Sequence, residues 1–509
     1  MLLSYQTKMS KLSKLVEAFF EDYSLLYNNI ERKYYIDNYK NGESRSSLKK
    51  LYTSMFGITA RHYNAIAINT DGKLDAVKEL QKTYISEKED KIKVVKKIIE
   101  KKESQKIKTF ERLEKSIKNF GLNHPKTIKI VRKYRSIKFV LHQKKRKLSN
   151  LKYKLEKLKN RKNSICFGSR ELFLKQFNLK ENGYLNHQEW LKDWRNARQS
   201  QFTFVGSKDE SFGNQSCTYD LDNNLRIRVP DSLINKHGKY ITIENVVFPY
   251  GQENLDKAKI PYNGITRGGK PAKYFRSISY RFIKKNDDWY IIATVEVDEP
   301  TAKTSIFGGA IGVDLNAGFL SVCEVDRFGN YLKTFDINVN MYSRTSEQVK
   351  ASIGDVVKNI IDYALKTGKS VCIEDLNFSK KKAILTECGT KYSRMLSGLT
   401  YSTFKSMLES RAKRFGVEVI KVNPAYTSLI GHFKFMKKYG ISSHGSASMV
   451  IARRGLRFNN IEKVVYGTDF ETKELPINKE RKKQWSNLSY QAKKYRLNDR
   501  LELIKVCNY

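Results

Sequence analysis

Apolar residues recur at helical spacing from Lys73 to Asn163, a stretch that is rich in Lys and Glu. This period of about 3.6 residues predicts amphipathic helices. The segment from Gly121 to Pro125, GLNHP, interrupts the pattern with a residue that ends helices and one that begins them. We therefore predict a long antiparallel helical hairpin.

The pattern changes to short alternating strands between Gln201 and Val297. The strand-like runs are QFTFVG, LRIRVP, YITIENVVF and the hairpin SISYRFIKKNDDWYIIATVEV. We place the hairpin turn at residues 286 to 288, where polar residues separate two alternating runs. Several short strands of this kind predict a β-rich domain, which we expect to be a small barrel.

A third pattern begins at Gly308. The run GGAIGVDLNAGFLSVCEVDRFGNYLKTFDI predicts three consecutive strands, and SEQVKASIGDVVKNIIDYALKTG predicts an amphipathic helix. The buried strand SVCIEDL, a helix from about Ser402 to Phe415, the strand VEVIKV and the helix SASMVIARRGL follow. This is the order of elements in an RNase H-like domain.

These patterns predict a multi-domain α+β chain. We expect an N-terminal segment at 1–72 that is helical and contributes to the β-barrel domain, a helical lobe at 73–200, the β-barrel domain itself at 201–305 and an RNase H-like domain at 306–457. The last segment, 458–509, is a basic tail to which we assign no chemistry.

The charge of the chain points to a polyanionic partner. Lys and Arg total 96 against 53 acidic residues, a formal net charge of +43, and 30 Tyr and 26 Phe are spread among them. Aromatic side chains stack on unpaired bases, so the mixture favours nucleic acid over a membrane surface. An AT-rich genome would also favour Lys and Tyr codons, and a lysine-rich helix face is also typical of a solvated coiled coil.

The six cysteines are scattered, without the paired spacing of a zinc site or the framework of a secreted domain. No zinc is expected. The N-terminus MLLSYQTKMSKLSK has no apolar core of a signal peptide, and no run approaches eighteen apolar residues. We expect buried thiols and a cytoplasmic protein, with no membrane partner.

Two carboxylates are the candidates for metal binding. In the predicted fold the strands GVDLN and CIEDLN are parallel neighbours, so Asp314 and Glu374 converge although 60 positions separate them. Carboxylate oxygens are the ligands that Mg²⁺ prefers, and two such ions catalyse phosphodiester hydrolysis. An acid at a strand end also caps turns. Asp375 should point to the opposite face by strand alternation, and we interpret it as structural.

A third ligand is expected near the start of the last helix. The segment KKYGISSHGSASMVIARR contains no carboxylate, and its metal-binding candidate is His444. Imidazole is a softer ligand, which shifts the preference from Mg²⁺ toward Mn²⁺. His444 as a metal ligand and His444 as a residue that faces a phosphate both stay open.

The motifs GVDLN, CIEDLN and LSGLTYSTFKSMLESRAKRFGVEVIKVNPAYTS resemble the successive RuvC motifs of the TnpB family of transposon-encoded nucleases, relatives of the type V CRISPR effectors. The resemblance covers about residues 308 to 456. It implies that Asp314 and Glu374 bind two catalytic metal ions, Mg²⁺ or Mn²⁺. It also implies a guide RNA, a double-stranded DNA target, a helical recognition lobe and a β-barrel wedge domain.

The chain departs from that family in two places. Many members carry a four-cysteine zinc ribbon, whereas Thr427 is followed by SLIGHFKFMKKYGISSH, which has no cysteine. The usual aspartate of the final motif matches His444. Arg453 and Arg454 follow in the same helix and are candidates for phosphate contact.

Three functions therefore remain open. The first is an RNA-guided DNA endonuclease that uses Asp314, Glu374 and His444. The second is an RNA-guided DNA-binding or repressor protein whose altered final motif has abolished cleavage. The third is an RNA-independent transposase or resolvase, which does not explain the long basic helical region.

Overall fold

The computed structural model describes residues 1–9, 12–265, 268–316, 318–339, 344–376, 398–456 and 481–492. The helices are α1 Lys14–Tyr34, α2 Arg45–Phe56, α3 Ala60–Phe120, α4 Pro125–Asn160, α5 Arg170–Lys175, α6 His187–Arg198, α7 Ile234–His237, α8 Gln252–Ala258, α9 Ser346–Thr367, α10 Gly398–Phe415, α11 Thr427–Ile430, α12 Met436–Tyr439, α13 Ser443–Gly455 and α14 Arg481–Ala492. Two π-helical segments, Tyr35–Lys40 and Gly431–Phe435, and three short 3₁₀ turns, Lys180–Asn182, Ser211–Gly213 and Asp231–Leu233, join them. The strands are β1 Leu2–Lys8, β2 Gln201–Phe204, β3 Cys217–Tyr219, β4 Leu225–Arg228, β5 Tyr240–Ile243, β6 Tyr262–Ile265, β7 Pro271–Tyr274, β8 Ile278–Lys285, β9 Asp288–Glu296, β10 Ser305–Leu315, β11 Phe319–Val325, β12 Tyr331–Asn338, β13 Lys369–Glu374 and β14 Val419–Val422.

The chain divides into two compact units. The first comprises residues 1–86 and 153–298, and the second comprises residues 87–152 and 299–509. The first unit holds a four-stranded sheet of order β1-β9-β8-β2, a three-stranded sheet β3-β4-β5 and the pair β6-β7. One core unites the two larger sheets with α1, and in it the ring of Phe20 lies 5.1 Å from that of Trp289. The closed barrel stays a prediction, because the described strands form separate sheets.

The predicted hairpin between β8 and β9 is confirmed. Its turn residues Asn286 and Asp287 have φ angles of 48° and 65°. Two successive positive φ values are what a two-residue hairpin turn of the right twist requires, and Asn and Asp tolerate them. Strand β1 joins the other edge of β9 over its whole length, from Leu2 opposite Glu296 to Lys8 opposite Tyr290.

The predicted helical hairpin is confirmed as α3 and α4. Gly121, with φ 76°, ends α3, and Pro125 begins α4 at the position where a missing N–H costs nothing. In the second unit the two arms pack through Val95, Ile99 and Leu141. Near the tip, the buried hydroxyls of Ser116 and Thr127 are 2.8 Å apart.

The second unit is built on a five-stranded sheet of order β12-β11-β10-β13-β14. Strands β10, β11 and β12 are antiparallel neighbours, whereas β13 runs parallel to β10 and β14 runs parallel to β13. The predicted order of strands and helices in this region is confirmed. A capping box at Thr345 and Gln348 begins the crossover helix α9, and Gly368, with φ 68°, ends it.

Helices cover both faces of this sheet. One face buries Ile311, Val313 and Ile373 against α9 and α10, and the other buries Ala310 and Cys372 against α13. Helix α13 lies close to the sheet, since a Cβ atom on Gly312 would come within 2.0 Å of the Ser448 carbonyl oxygen. Side chains two residues beyond Gly312 and Cys372 therefore point toward α13.

Helix α14 contributes to the core on the α13 side of the sheet. Its Trp485, Leu488 and Ala492 are buried in the same cluster as Met449 of α13. We predicted only a basic tail here. The rest of residues 458–509 lies outside the described residues.

Four cysteines are described, and three of them are the buried thiols that we predicted. Burial raises the pKa of both Cys323 and Cys372 to about 12, so these thiols are inert near neutral pH. Cys217 is buried as well, whereas Cys166 is exposed, contrary to the prediction. Cys388 and Cys507 lie outside the described residues.

Candidate active site

The two predicted carboxylates lie at the C-terminal ends of neighbouring parallel strands, in matching register. Val313 of β10 lies opposite Ile373 of β13, and Asp314 and Glu374 are the next residue of each strand. Both follow, by two positions, residues that face α13. Asp314 and Glu374 therefore project to the α13 side of the sheet.

The carboxylate of Asp314 is largely buried, with 13% of the side chain exposed. The side-chain amide of Asn316 donates a hydrogen bond of 3.1 Å to Asp314 Oδ2. The same oxygen lies 3.5 Å from Nδ1 of His444, which is at the outer limit of a hydrogen bond. The backbone turn after β10 and the first turn of α13 thus fix the orientation of Asp314.

His444 stands in the first turn of α13. Ser442 caps this helix by accepting a 3.0 Å hydrogen bond from the backbone N–H of Gly445. The imidazole meets the ring of Phe319 edge-on, with centroids 5.1 Å apart. The Asp314 carboxylate raises the pKa of His444, burial opposes that rise, and the charge of Asp336 adds to it.

Glu374 is held from two sides. The hydroxyl of Thr427, at the start of α11, donates a hydrogen bond to Glu374 Oε1. The hydroxyl of Tyr401, on α10, donates to the backbone carbonyl of Glu374. These contacts fix both the carboxylate and the strand end that carries it.

The structure brings Asp314 and His444 together and leaves Glu374 at the adjacent position of the next strand. Within the ranges that the structure describes, no three His, Cys, Asp or Glu side chains are close enough to hold one ion. Carboxylates that share a site repel each other without a cation, so a gathered arrangement needs the metal itself. The donor set of two carboxylates and one imidazole fits a hard or borderline divalent ion.

Asp375 faces the opposite side of the sheet, as strand alternation predicts. Its carboxylate forms an ion pair of 2.9 Å with Lys405 of α10. That ion pair lowers the pKa of Asp375. The structural interpretation of this residue is supported by the contact.

A row of three residues crosses the sheet at the site, and sequence analysis missed two of them. Asp314 lies opposite Ser321 of β11, and Ser321 lies opposite Asp336 of β12. Ser321 is fully buried, whereas Asp336 is exposed. Asp336 therefore adds negative charge on the same face as Asp314, on the strand at the edge.

Arg453 and Arg454 have different surroundings. Arg453 donates a 2.6 Å hydrogen bond to the carbonyl of Gly329, and its guanidinium lies 5.2 Å from the centre of the Phe435 ring. Arg454 is only 5% exposed and donates to the carbonyls of Asn423 and Ala425. These contacts favour a structural role for Arg454 over the predicted contact with phosphate, which stays a prediction for Arg453.

Asn316, Thr427 and Asp336 orient or charge the site and were not predicted as site residues. Asn316 carried a signal, because it lies two residues after Asp314 in GVDLN, within reach of a side-chain hydrogen bond. Nothing in the sequence indicated Thr427 or Asp336, since only the tertiary packing brings Thr427 to Glu374 and Asp336 to His444.

Comparisons with known proteins give short or weak likenesses. No protein-family model matches the chain. Two proteins of Aeropyrum pernix, both named only as uncharacterized, are 28% identical to it over 163 residues, which is 30% of this chain. The matched segment covers 44% and 39% of those proteins, so the chain spans less than half their length.

A cryo-EM structure of a CRISPR-Cas12f ternary complex is similar to 88% of this chain and 98% of that one, at 14% identity and a TM-score of 0.21. That score is too low to assign a fold.

Of the helices that the structure describes, none is both long and apolar enough to cross a membrane.

Proposed function

We propose that this chain is an RNA-guided DNA endonuclease of the TnpB kind, with an RNase H-like, RuvC-type domain formed by β10 to β14 and their helices. The observation that carries the proposal is the pair Asp314 and Glu374. They end two parallel neighbouring strands, on one face, beneath the helix that bears His444. This is the arrangement that the family motifs imply.

Asp314, Glu374 and His444 are the residues that would hold Mg²⁺ or Mn²⁺. Two such metal ions would supply a water nucleophile at neutral pH and would stabilise the negative charge on the leaving oxygen of a phosphodiester. The chain's own residues prepare the ligands. Asn316 orients the Asp314 carboxylate, and Thr427 orients that of Glu374. Such outer partners strengthen metal affinity by about 10- to 100-fold.

Guide RNA and double-stranded target DNA are the partners that the proposal requires. Helix α4 carries fourteen lysines and arginines against one glutamate, Glu156. Each phosphate that such a helix neutralises releases a condensed counterion, which favours binding at low salt. In this arrangement base pairing with the guide reads the target sequence, and the protein reads a short flanking motif.

A guided binding protein without cleavage is the second candidate. The observation in its favour is the imidazole of His444 at the position where the family has an aspartate. The third candidate, an RNA-independent transposase or resolvase, would use the basic charge of α4 on DNA alone, and co-purification of one defined RNA distinguishes it from the first two.

The test is metal-dependent cleavage of a DNA that matches the RNA bound by the purified protein. Wild type should cut in Mn²⁺ or Mg²⁺, and Asp314→Asn and Glu374→Gln should lose detectable cutting while retaining the RNA. Asp375→Asn is the matched control, because it removes a neighbouring carboxylate that faces the other side of the sheet. It should cut like wild type.

Two results would count against the proposal. Cutting by Asp314→Asn at the wild-type rate would show that the nuclease centre lies elsewhere. Tight and specific DNA binding by wild type without any cutting would instead establish the guided binding protein.

A further inference from the structure

The three-stranded sheet of the first unit has one face in the core and one face exposed. Strand β4 alternates strictly: Leu225 and Ile227 are buried, whereas Arg226 is exposed and Arg228 is half-buried. On β5, Ile241 is buried and its neighbours Tyr240 and Thr242 are exposed. The outer face of β3, β4 and β5 is therefore polar and cationic.

The outer face presents an aromatic ring, that of Tyr240, which lies close to two guanidinium groups. Tyr240 lies directly opposite Arg228 in the antiparallel register, and its ring centre is 5.7 Å from that guanidinium. The guanidinium of Arg226, two residue pairs along the ladder, is 4.9 Å from the same ring. The side chain of Tyr240 nevertheless remains open to solvent, with 45% of the residue exposed.

The two arginines differ in charge balance. Arg228 forms an ion pair of 2.6 Å with Asp231 and also donates to the Val229 carbonyl, so its charge is matched within the fold. The guanidinium of Arg226 lies against the ring of Tyr240 and forms no ion pair or hydrogen bond with any residue that the structure describes. Its donors are available to an anion that binds at this face.

Hydroxyl groups flank the arginine whose donors are available. Thr218, Arg226 and Thr242 form one row across the three strands. Thr242 is exposed, and the hydroxyl of Thr218 donates to the Asn214 carbonyl, which leaves its oxygen lone pairs available as acceptors. The face thus combines a ring on which a base can stack, one cation without an acidic partner and two hydroxyl groups, all on three adjacent strands.

We propose that this outer face, made by Thr218, Arg226, Tyr240 and Thr242, binds an unpaired nucleotide of RNA. The base stacks on Tyr240, Arg226 binds a flanking phosphate, and a threonine hydroxyl contacts the ribose 2′-hydroxyl. Stacking on an exposed aromatic ring of a sheet is a common way to bind single-stranded RNA, and the 2′-hydroxyl distinguishes RNA from DNA. The assignment rests on the proposed function, because it takes the RNA to be the bound guide.

The experiment measures fluorescence anisotropy of the full-length protein with a labelled, unstructured RNA of 20 nucleotides and with DNA of the same sequence. Tyr240→Ala should weaken RNA binding by about 5- to 150-fold, the range that corresponds to one base–aromatic stack. Tyr240→Phe should restore most of the affinity, because stacking needs the ring and not the phenol. Arg226→Ala should lower the slope of log K against log salt by about 0.7, as expected for one phosphate contact to a single strand.

The matched control is Arg327→Ala. Arg327 is also exposed and lies 4.6 Å from the centre of an aromatic ring, that of Phe328, but it belongs to the turn between β11 and β12. Its removal should change RNA affinity less than two-fold. A thermal melt of each variant distinguishes lost binding from lost folding, and crosslinking of RNA that contains 4-thiouridine should place a crosslink on the Tyr240 peptide in wild type.

RNA binding by a folded Tyr240→Ala protein within two-fold of wild type would overturn this assignment and leave the proposed function untouched. An equal loss of affinity for the DNA oligonucleotide would overturn the choice of RNA. Failure of wild type to bind any RNA would overturn the guided function as well. Asp314→Asn should bind RNA like wild type, which separates the two claims.

Discussion

At the scale of single residues, the site depends on how Asp314 shares its contacts. One carboxylate oxygen accepts from Asn316 and lies 3.5 Å from His444, while Asp336 acts on the same imidazole from the edge strand. The histidine thus occupies a strongly negative environment. In the proposed enzyme, a divalent ion takes over part of that charge compensation.

Substitution of His444 by aspartate tests the role of the imidazole. His444→Asp supplies a third hard oxygen ligand, so we expect the ratio of Mg²⁺-supported to Mn²⁺-supported cleavage to rise above that of wild type. Without metal, the introduced carboxylate and that of Asp314 would repel each other, so the variant should melt at a lower temperature and recover when Mn²⁺ is added.

His444→Asn serves as the neutral control, because it removes the imidazole without adding a charge. It should show no such rise in melting temperature with Mn²⁺. If His444→Asp were equally stable with and without Mn²⁺, the position would not be part of a metal site.

Arg454 illustrates how a basic residue can serve the fold. Its guanidinium donates to the carbonyls of Asn423 and Ala425, between β14 and α11. Arg454→Ala should lower the free energy of unfolding by about 1–3 kcal/mol for each carbonyl left without a donor. The salt dependence of nucleic-acid binding should stay unchanged, whereas Arg453→Ala should reduce it. Urea melts and binding titrations at several salt concentrations measure the two effects; a reduced slope for Arg454→Ala would contradict its structural role.

At the scale of elements, the close contact between α13 and β10 sets the distance from His444 to Asp314. Gly312 permits it, because any side chain there would meet the Ser448 carbonyl and the backbone nitrogen of Ala452, 2.6 Å away. Gly312→Ala should cost about 1–3 kcal/mol or more by overpacking and should reduce cleavage by displacing His444.

Gly308→Ala is its control on the same strand, since nothing lies within 4 Å of a Cβ added there. The control should retain wild-type stability and cleavage, and chemical denaturation with a cleavage assay measures both. Equal stability of the two variants would show that α13 does not pack on Gly312.

Glu324 of β11 forms a largely buried ion pair with Lys369 of β13, next to Tyr363 of α9. Lys369 donates a 2.5 Å hydrogen bond to Glu324, which also accepts from the hydroxyl of Tyr363. Burial raises the pKa of Glu324, but the hydrogen bonds from Lys369 and Tyr363 outweigh it and the net pKa is lowered. Glu324 therefore contributes stability above the pKa of the unfolded chain, and this contribution is lost as the pH falls through the lowered folded pKa.

Glu324→Gln should remove that dependence. The variant should be less stable than wild type at pH 7, and the difference should shrink as the pH falls below about 4.3, the usual range of a glutamate. Urea unfolding at a series of pH values measures it. A constant difference across that range would contradict the role of the Glu324 charge.

Local patterns predicted most elements from β10 to α13, because each strand and helix there buries one face with its own regular period. The hairpin turn at Asn286 could also be predicted from the sequence, since its residues tolerate positive φ. Pairing of β1 with β9 was not predicted as such, because it joins segments almost 290 residues apart and no local pattern records such a pair. The buried Trp485 of α14 was missed for a similar reason: its helix is mostly polar, and only packing reveals its apolar contacts.

The site was predicted in part. Asp314, Glu374 and His444 were chosen because strand order and motif matching place them together, and the first and last of these are in contact. Thr427 and Asp336 were not, because their positions depend on the course of the chain after β14 and on the register of β12. Arg454 looked like a phosphate ligand, since sequence gives its charge but not its burial.

At the scale of the whole molecule, the excess of 43 positive charges destabilises the compact chain by self-repulsion at low salt, and a polyanionic partner would offset this repulsion. We assign such a partner to the lysines and arginines of α4 and to the exposed Arg226 and Tyr240. In the proposed function, a bound RNA would contact both, and the stacking surface is the one of the two that favours an unpaired strand.

The most direct test of the guided-nuclease account is reprogramming. The protein is expressed with its native flanking sequence, the RNA that purifies with it is sequenced, and the segment that pairs with DNA is replaced by a new sequence. With Mn²⁺ or Mg²⁺, the account predicts that cleavage of a plasmid moves to the site that matches the new RNA and disappears in Asp314→Asn. Cleavage that stays at the old site, or that occurs in protein stripped of RNA, would contradict it.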